Sequence, residues 1–241
     1  MKYLRQFFHP ILKMERKRSK CANSASFPKA LYPIVSAPFP PLETPVLDVD
    51  YLCIDFETTG LNPLIDQILS IGMVEIYKGF INLKTAEHFY IKGDQQVNEE
   101  TAIINHIVPE LLKEGNDLDT VLNHLFTRMH NKVILVHGLN IEQRFLRHYI
   151  LRKYNIDSIP WLWVDTLRIE RSLFDNQQIQ YGPSPSYQLN KVRKDYGLPD
   201  YSGHNALIDA VSTAELFLAQ HAKVYGKNEK QPYEEIIKRS Y

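Results

Sequence analysis

The stretch YLCIDFETTG, Tyr51 to Gly60, decides the reading of this chain. Tyr51 to Glu57 is an apolar run of strand length. Side chains alternate across a strand, so Asp55 and Glu57 project from one face, with Cα atoms about 6.6–7 Å apart. Two carboxylates so placed repel each other unless a cation lies between them. Oxygen-only ligands suit hard ions such as Mg2+ or Mn2+. The strand then breaks into Thr58-Thr59-Gly60, a turn whose backbone can approach a substrate. This is the layout of a metal-dependent phosphoryl-transfer site. Taken alone, acids at i and i+2 also fit a solvated sheet face. The apolar character of Leu52 to Phe56 favours a central strand covered on both sides.

The rest of the chain sets bounds on that reading. It has 241 residues and a formal net charge of zero, unevenly spread. Residues 1–45 carry eight Lys/Arg and two Asp/Glu, so the remainder is acidic by six charges. An acidic body is a poor match for long duplex DNA gripped by a broad basic surface, but it is compatible with holding a strand end through metal ions. The two cysteines, Cys21 and Cys53, form neither a disulfide framework nor a zinc motif. That favours a reducing compartment, here read as the cytoplasm. No stretch is long enough to span a bilayer, so no membrane partner is expected. The N-terminal apolar residues are followed by a charged run, and no small-residue cleavage site follows them, which argues against a signal peptide.

The sequence divides into a basic, Pro-rich N-terminal extension (1–46), a compact domain (47–225) and a C-terminal tail (226–241). The proline cluster over 26–46 reads as an extended arm or linker. The basic run Lys13 to Lys20 reads as the solvated end of an amphipathic helix, or as a contact for a partner or nucleic acid. Gln67 to Tyr77 is strand-like, and a third strand near Glu87 to Ile91 follows the Lys78-Gly79 break. Short helices are expected over 99–114, and an amphipathic helix over Leu118 to Met129. Lys132 to Val136 and Trp161 to Asp165 read as short buried strands. Asn140 is placed to cap the helix between them. Helices close the chain over Ser186 to Tyr196 and Asn205 to Tyr225. Three strands followed by alternating helices and strands give an α/β domain with a mixed sheet.

A second cluster lies in HNALIDA, His204 to Ala210. Asp209 borders the apolar stripe of the helix this segment opens. A buried-side acid needs a partner, and a cation shared with Asp55 and Glu57 supplies one. His204 just precedes the helix, and a neutral imidazole can take a proton from water near pH 7.

Taken together, these segments resemble the DEDD superfamily of 3′-to-5′ exonucleases, histidine subgroup. That group includes the DNA polymerase III epsilon subunit and RNase T exonuclease domains. DFETTG resembles the first motif, D-x-E-T-T-G, and HNALIDA the third, H-x-A-x-x-D. The tyrosine subgroup places its tyrosine at the position of Asn205, which cannot act as a base. IVPELL after His106, the Val164-Asp165-Thr166-Leu167 junction and SYQLNKVRKDYGLP also fit. The resemblance runs from about Leu47 to about Gln220. It implies an RNase H-like fold: a mixed five-stranded sheet, three antiparallel strands continued by two parallel ones, with helices on both sides.

The resemblance also implies roles. Two divalent ions, Mg2+ or Mn2+, would be held by Asp55, Glu57, Glu142 and Asp209, with Asp55 bridging. His204 would take a proton from the attacking water. Thr58, Thr59 and Gly60 would hold the terminal nucleotide. His106 would lie near its base, or be a loop histidine. The reaction would release nucleoside 5′-monophosphates from single-stranded 3′ ends. Metals read phosphates rather than bases, so DNA and RNA remain equal alternatives here. The second motif departs from the family's H-N-x-x-F-D pattern. HGLNIEQRFL, His137 to Leu146, has Gly138 for asparagine and Glu142 for aspartate. Glu142 is then either the fourth ligand, its carboxylate moved by about 1.5 Å, or an acid that only complements a helix N-terminus. The same departure raises a second function class: a nucleic-acid-binding or scaffold module with impaired catalysis. By the same resemblance, a protein partner docked on the N-terminal extension and a homodimer are further expectations. Asp66 and Asp165 are read as turn and junction residues.

Overall fold

Strand β1 (Tyr51–Thr58) lies at the centre of a five-stranded sheet, where its apolar run requires it to be. It pairs antiparallel with β2 (Ile68–Tyr77) on one side and parallel with β4 (Val133–Val136) on the other. β3 (Phe80–Tyr90) and β5 (Trp163–Asp165) form the two edges, giving the order β3-β2-β1-β4-β5. In this computed structural model, residues 9–93, 109–175, 186–201, 205–226 and 230–240 are described. The sheet matches the expected three antiparallel and two parallel strands.

β3 is longer than the strand expected near Glu87. Lys78 and Gly79 both have positive φ, 48° and 74°. That is the turn geometry whose twist suits a two-residue hairpin. Pairing therefore starts at once, with Tyr77 opposite Phe80. A register shift between Met73 and Glu75 carries the ladder on to Tyr90.

The helices follow their apolar spacing. In α4 (Leu118–Arg128), Val121, Leu122, Leu125 and Phe126 face the core, and the Asp117 side chain accepts from the Thr120 amide at its start. Of the helices expected over 99–114, α3 (Pro109–Lys113) is described and the remainder lies outside the described residues. α5 (Asn140–Tyr154), α6 (Thr166–Asp175), α7 (Leu189–Asp195), α8 (Ala206–Tyr225) and α9 (Tyr233–Ser240) complete the fold. One apolar cluster joins β1, β2 and β4 to α4 and α5, and a second joins the other sheet face to α8 and α9.

Two expectations change. Residues 26–46 do not form an extended arm. α1 (Pro10–Ala22), a 3-10 turn (Lys29–Leu31), α2 (Tyr32–Ser36) and a second 3-10 turn (Val46–Asp48) fold onto the sheet. Leu31, Val35 and Val46 are wholly buried. The prolines are compatible because Pro10 and Pro33 occupy first-turn positions, where no amide donor is needed. The C-terminal tail is also folded. α9 buries Tyr233 and Ile236, and the Tyr233 amide donates to the Thr44 carbonyl at 2.8 Å. The Val46 amide donates to Gln231 at 2.8 Å, so the two terminal segments clasp each other.

Candidate active site

The end of β1 and the start of α8 bring three acids together. One carboxylate oxygen from each of Asp55, Glu57 and Asp209 lies within 4.8 Å of the other two. Asp55 and Glu57 share a strand face, as their spacing requires. Asp209 reaches them from the first turn of α8. Asn205 sets that turn: its side-chain oxygen accepts from the Leu207 and Ile208 amides at 3.1 and 3.2 Å.

The approach of α8 depends on Gly72. This residue stands opposite Asp55 in the β1–β2 ladder. A β-carbon there would meet the Ala206 and Leu207 backbone at 2.1–2.2 Å. The missing side chain is what lets the helix carrying Asp209 press against the strand pair carrying Asp55. Sequence reasoning passed over Gly72. An isolated glycine inside an apolar strand was the available signal, because it often marks close approach of another backbone.

The turn after β1 is held by Asp66. Its Oδ1 accepts from the Thr59 hydroxyl at 3.1 Å and its Oδ2 from the Asn62 amide at 2.8 Å. Thr59 and Gln67 also bond to each other through backbone and side chain. A β-carbon at Gly60 would lie 2.6 Å from the Asp66 carboxylate. The Thr58 hydroxyl donates to the Gly60 carbonyl at 2.7 Å. A register shift between Glu57 and Thr58 marks where the strand leaves its ladder.

Glu142 lies in the first turn of α5, 4% exposed, beside the trio rather than within it. Burial pushes its carboxyl up to about 8, Asp165 and Glu57 add to the rise, and amides of Glu142 and Phe56 oppose it. Burial also holds Asp55 well above the usual carboxylate range, followed by repulsion from Glu142, Asp209 and Glu57. The Oε2 atom of Glu142 is buried without a hydrogen-bond partner. Four acids crowded this way, offering only oxygen, fit a hard divalent cation. His204 and His106 lie outside the described residues.

The expectation that Asn140 caps α5 is corrected. Asn140 is the first helical residue, and the preceding Leu139 offers no side-chain cap. The cap comes from β5. Asp165 accepts from the Gly138 amide at 2.8 Å, Leu139 at 3.2 Å and Leu167 at 2.9 Å. One carboxylate thus fixes the starts of α5 and α6, and with α5 the position of Glu142. Gly138 has φ +88°, a conformation that asparagine adopts only with strain, so the substitution at this position suits the turn. His137, whose burial lowers its pKa, bridges the Thr166 hydroxyl and the Tyr187 carbonyl, each at 2.8 Å.

An open groove of about 750 Å3 adjoins the turn. Leu64 and Ile65 stand on one side, and Phe145, His148 and Arg152 of α5, with Lys92, on the other.

Comparison with known proteins gives the family and the fold. The exonuclease family profile matches residues 52–217. The PolC-type DNA polymerase III of Thermotoga petrophila is 32% identical over 170 residues, covering 70% of this chain and 12% of the polymerase. The 3′-5′ exonuclease DinG of Staphylococcus haemolyticus is 24% identical over 186 residues, covering 75% of this chain and 19% of DinG. The chain therefore spans less than a fifth of the length of these curated relatives. Among solved structures, Exonuclease X in complex with 5′ overhanging duplex DNA superimposes with a TM-score of 0.56 at 20% identity, over 78% of this chain and 99% of that one. E. coli Exonuclease I in complex with a dT13 oligonucleotide gives 0.58 at 17% identity, over 73% and 42%. At these identities the two structures speak for a shared fold.

Proposed function

The chain belongs to the exonuclease family, and on that premise we propose that it removes nucleotides from single-stranded 3′ ends, releasing nucleoside 5′-monophosphates. The observation that carries this reading is the convergence of Asp55, Glu57 and Asp209 within 4.8 Å. Asp55, Glu57 and Asp209, with Glu142 beside them, are the residues that would hold two divalent ions, Mg2+ or Mn2+. When bound, such ions stabilise the charge that builds on the phosphate and the leaving 3′-oxygen.

The protein's own groups do the rest. Thr58, Thr59 and Gly60, braced by Asp66, present backbone to the terminal nucleotide. His204 accepts the proton of the attacking water as general base. The resemblance assigns His106 to the terminal base. Lys92 and Arg152 in the adjoining groove offer positive charge to the phosphates upstream. DNA is the favoured substrate, supported by the PolC-type relatives. A proofreading or repair role follows from that preference. The unpaired Cys21 and Cys53 support residence in the reducing cytoplasm. Among the described residues no helix is long and apolar enough to cross a membrane. A protein partner on the N-terminal segment and a homodimer belong to the same proposal.

One observation favours a second reading, a binding module with impaired catalysis: Glu142 lies beside the Asp55, Glu57 and Asp209 trio rather than within it. Turnover decides between them. A labelled single-stranded oligonucleotide, as DNA and as RNA, is incubated with Mg2+, Mn2+ or chelator. Metal-dependent shortening supports the exonuclease. Binding without shortening supports the module.

A further inference from the structure

We propose that the outer face of α1 is a second nucleic-acid contact, a phosphate track for strands long enough to extend away from the site. Lys13, Arg16, Lys17 and Lys20 are all exposed and recur at i, i+3, i+4 and i+7. That spacing places four cations on one helix face, over a rise of about 10 Å. The inference rests on the proposed nuclease reading for its choice of ligand.

The opposite face of the helix is docked. Ile11 is buried in the core, and buried Arg18 donates to the Val35 carbonyl. Glu15, the helix's own acid, is turned to this inner side. It accepts from Arg18 at 2.7 Å and from the Phe39 amide at 3.0 Å. It is therefore committed to inner-face contacts, and among the described residues no carboxylate pairs with Lys13, Lys17 or Lys20. The docked helix thus carries the charges of Lys13, Lys17 and Lys20 on its outer side, while the chain beyond residue 45 is net acidic. A helix that lies on a membrane needs an exposed apolar face. Here that face is used against the protein, so charge is what α1 offers, and a row of phosphates complements it.

The position of the track sets its length requirement. Phe39, whose amide donates to Glu15 of α1, lines a small cavity with Lys132, Val133 and Leu162, at the starts of β4 and β5. α1 therefore sits at the N-terminal ends of the parallel strands. Asp55 and Glu57 sit towards the other end of β1. About 13 Å of strand separates Tyr51, at the first end, from Asp55, and about 20 Å separates it from Glu57. A dinucleotide at the active site cannot reach α1, and a long single strand can.

The test compares wild type with Lys13→Gln/Lys17→Gln/Lys20→Gln, substitutions that keep helix propensity. Binding of a fluorescent long single-stranded oligonucleotide is followed by anisotropy in chelator, across a salt series. The inference expects weaker binding by the variant and a log K against log salt slope shallower by about 2. With metal present, KM for the long strand rises while dinucleotide kinetics stay unchanged. An unchanged slope and unchanged long-strand KM would overturn it. So would a variant that loses only the binding of phosphatidylserine vesicles, which would assign the stripe to membranes. Anisotropy reads the track without turnover, so a wild type that binds this way but never cleaves defeats the nuclease reading and leaves the track standing.

Discussion

A β-carbon built on Gly72 would stand 2.1 Å from the backbone carbonyl carbon of Ala206. Gly72 faces Asp55 in the ladder, and Ala206 opens the helix that carries Asp209. The distance between the carboxylates of two elements remote in sequence is thus set by a side chain that is absent. Gly72→Ala should push α8 off the sheet. Overpacking of this kind costs about 1–3 kcal/mol and lowers Tm by about 3–10 °C. Activity should fall further than this loss of stability explains, because Asp209 moves with the helix. Thermal unfolding and kcat measured below the variant's Tm check both parts. Full activity at wild-type Tm would contradict the packing argument.

The crowded carboxylates make stability depend on pH and metal. Asp55 and Glu142 are held above their ordinary values in the folded chain, so the fold binds protons more tightly than the unfolded chain does. Metal-free stability should therefore be highest below the unfolded values. It should fall as pH rises, for Glu142 across the window from 4.5 to about 8. Mg2+ or Mn2+ should recover it at the alkaline end of that window. Thermal unfolding in chelator and in metal, across this range, measures the effect. A chelated protein that gains stability over the window would contradict the site's electrostatics.

Glu142→Asp restores the residue type of the resembled motif. If Glu142 serves the metal site, the variant keeps or raises turnover and changes the metal concentration needed for half-maximal activity. Isothermal titration with Mn2+ gives the affinity directly. A change in Tm with no change in metal dependence would reduce Glu142 to a helix-start acid.

Much of the site was legible because its logic is local. The i, i+2 spacing in β1 placed Asp55 and Glu57 on one face without knowledge of the fold, and the helix period put Asp209 near the core. What escaped depends on contacts across the chain. Asp165 read as a junction residue, but that it also caps α5 is visible only once β5 lies beside β4. Asn140 looked like the cap because it is a good capping residue next to the helix, yet the tertiary partner displaced it. The proline cluster before Leu47 suggested an arm because first-turn prolines and linker prolines look alike until burial is known.

That last difference has a consequence. Leu31, Val35 and Val46 are wholly buried. Deleting residues 1–46 removes side chains whose burial contributes about 1.5–3 kcal/mol each, against a total of about 5–15 kcal/mol for a typical domain. It also breaks the clasp with α9. The truncated protein should lose cooperative thermal unfolding by circular dichroism. Retention of the full-length Tm would make the segment a separable extension after all.

The central claim is that the Asp55, Glu57 and Asp209 cluster is a metal-dependent exonuclease site. The most direct test follows a 5′-labelled single-stranded oligonucleotide with wild type and Asp55→Asn in Mg2+, in Mn2+ and in chelator. The account predicts a ladder that shortens from the 3′ end in metal, is absent in chelator, and is absent in a folded Asp55→Asn protein. Equal cleavage by wild type and Asp55→Asn, or cleavage that persists in chelator, would contradict it.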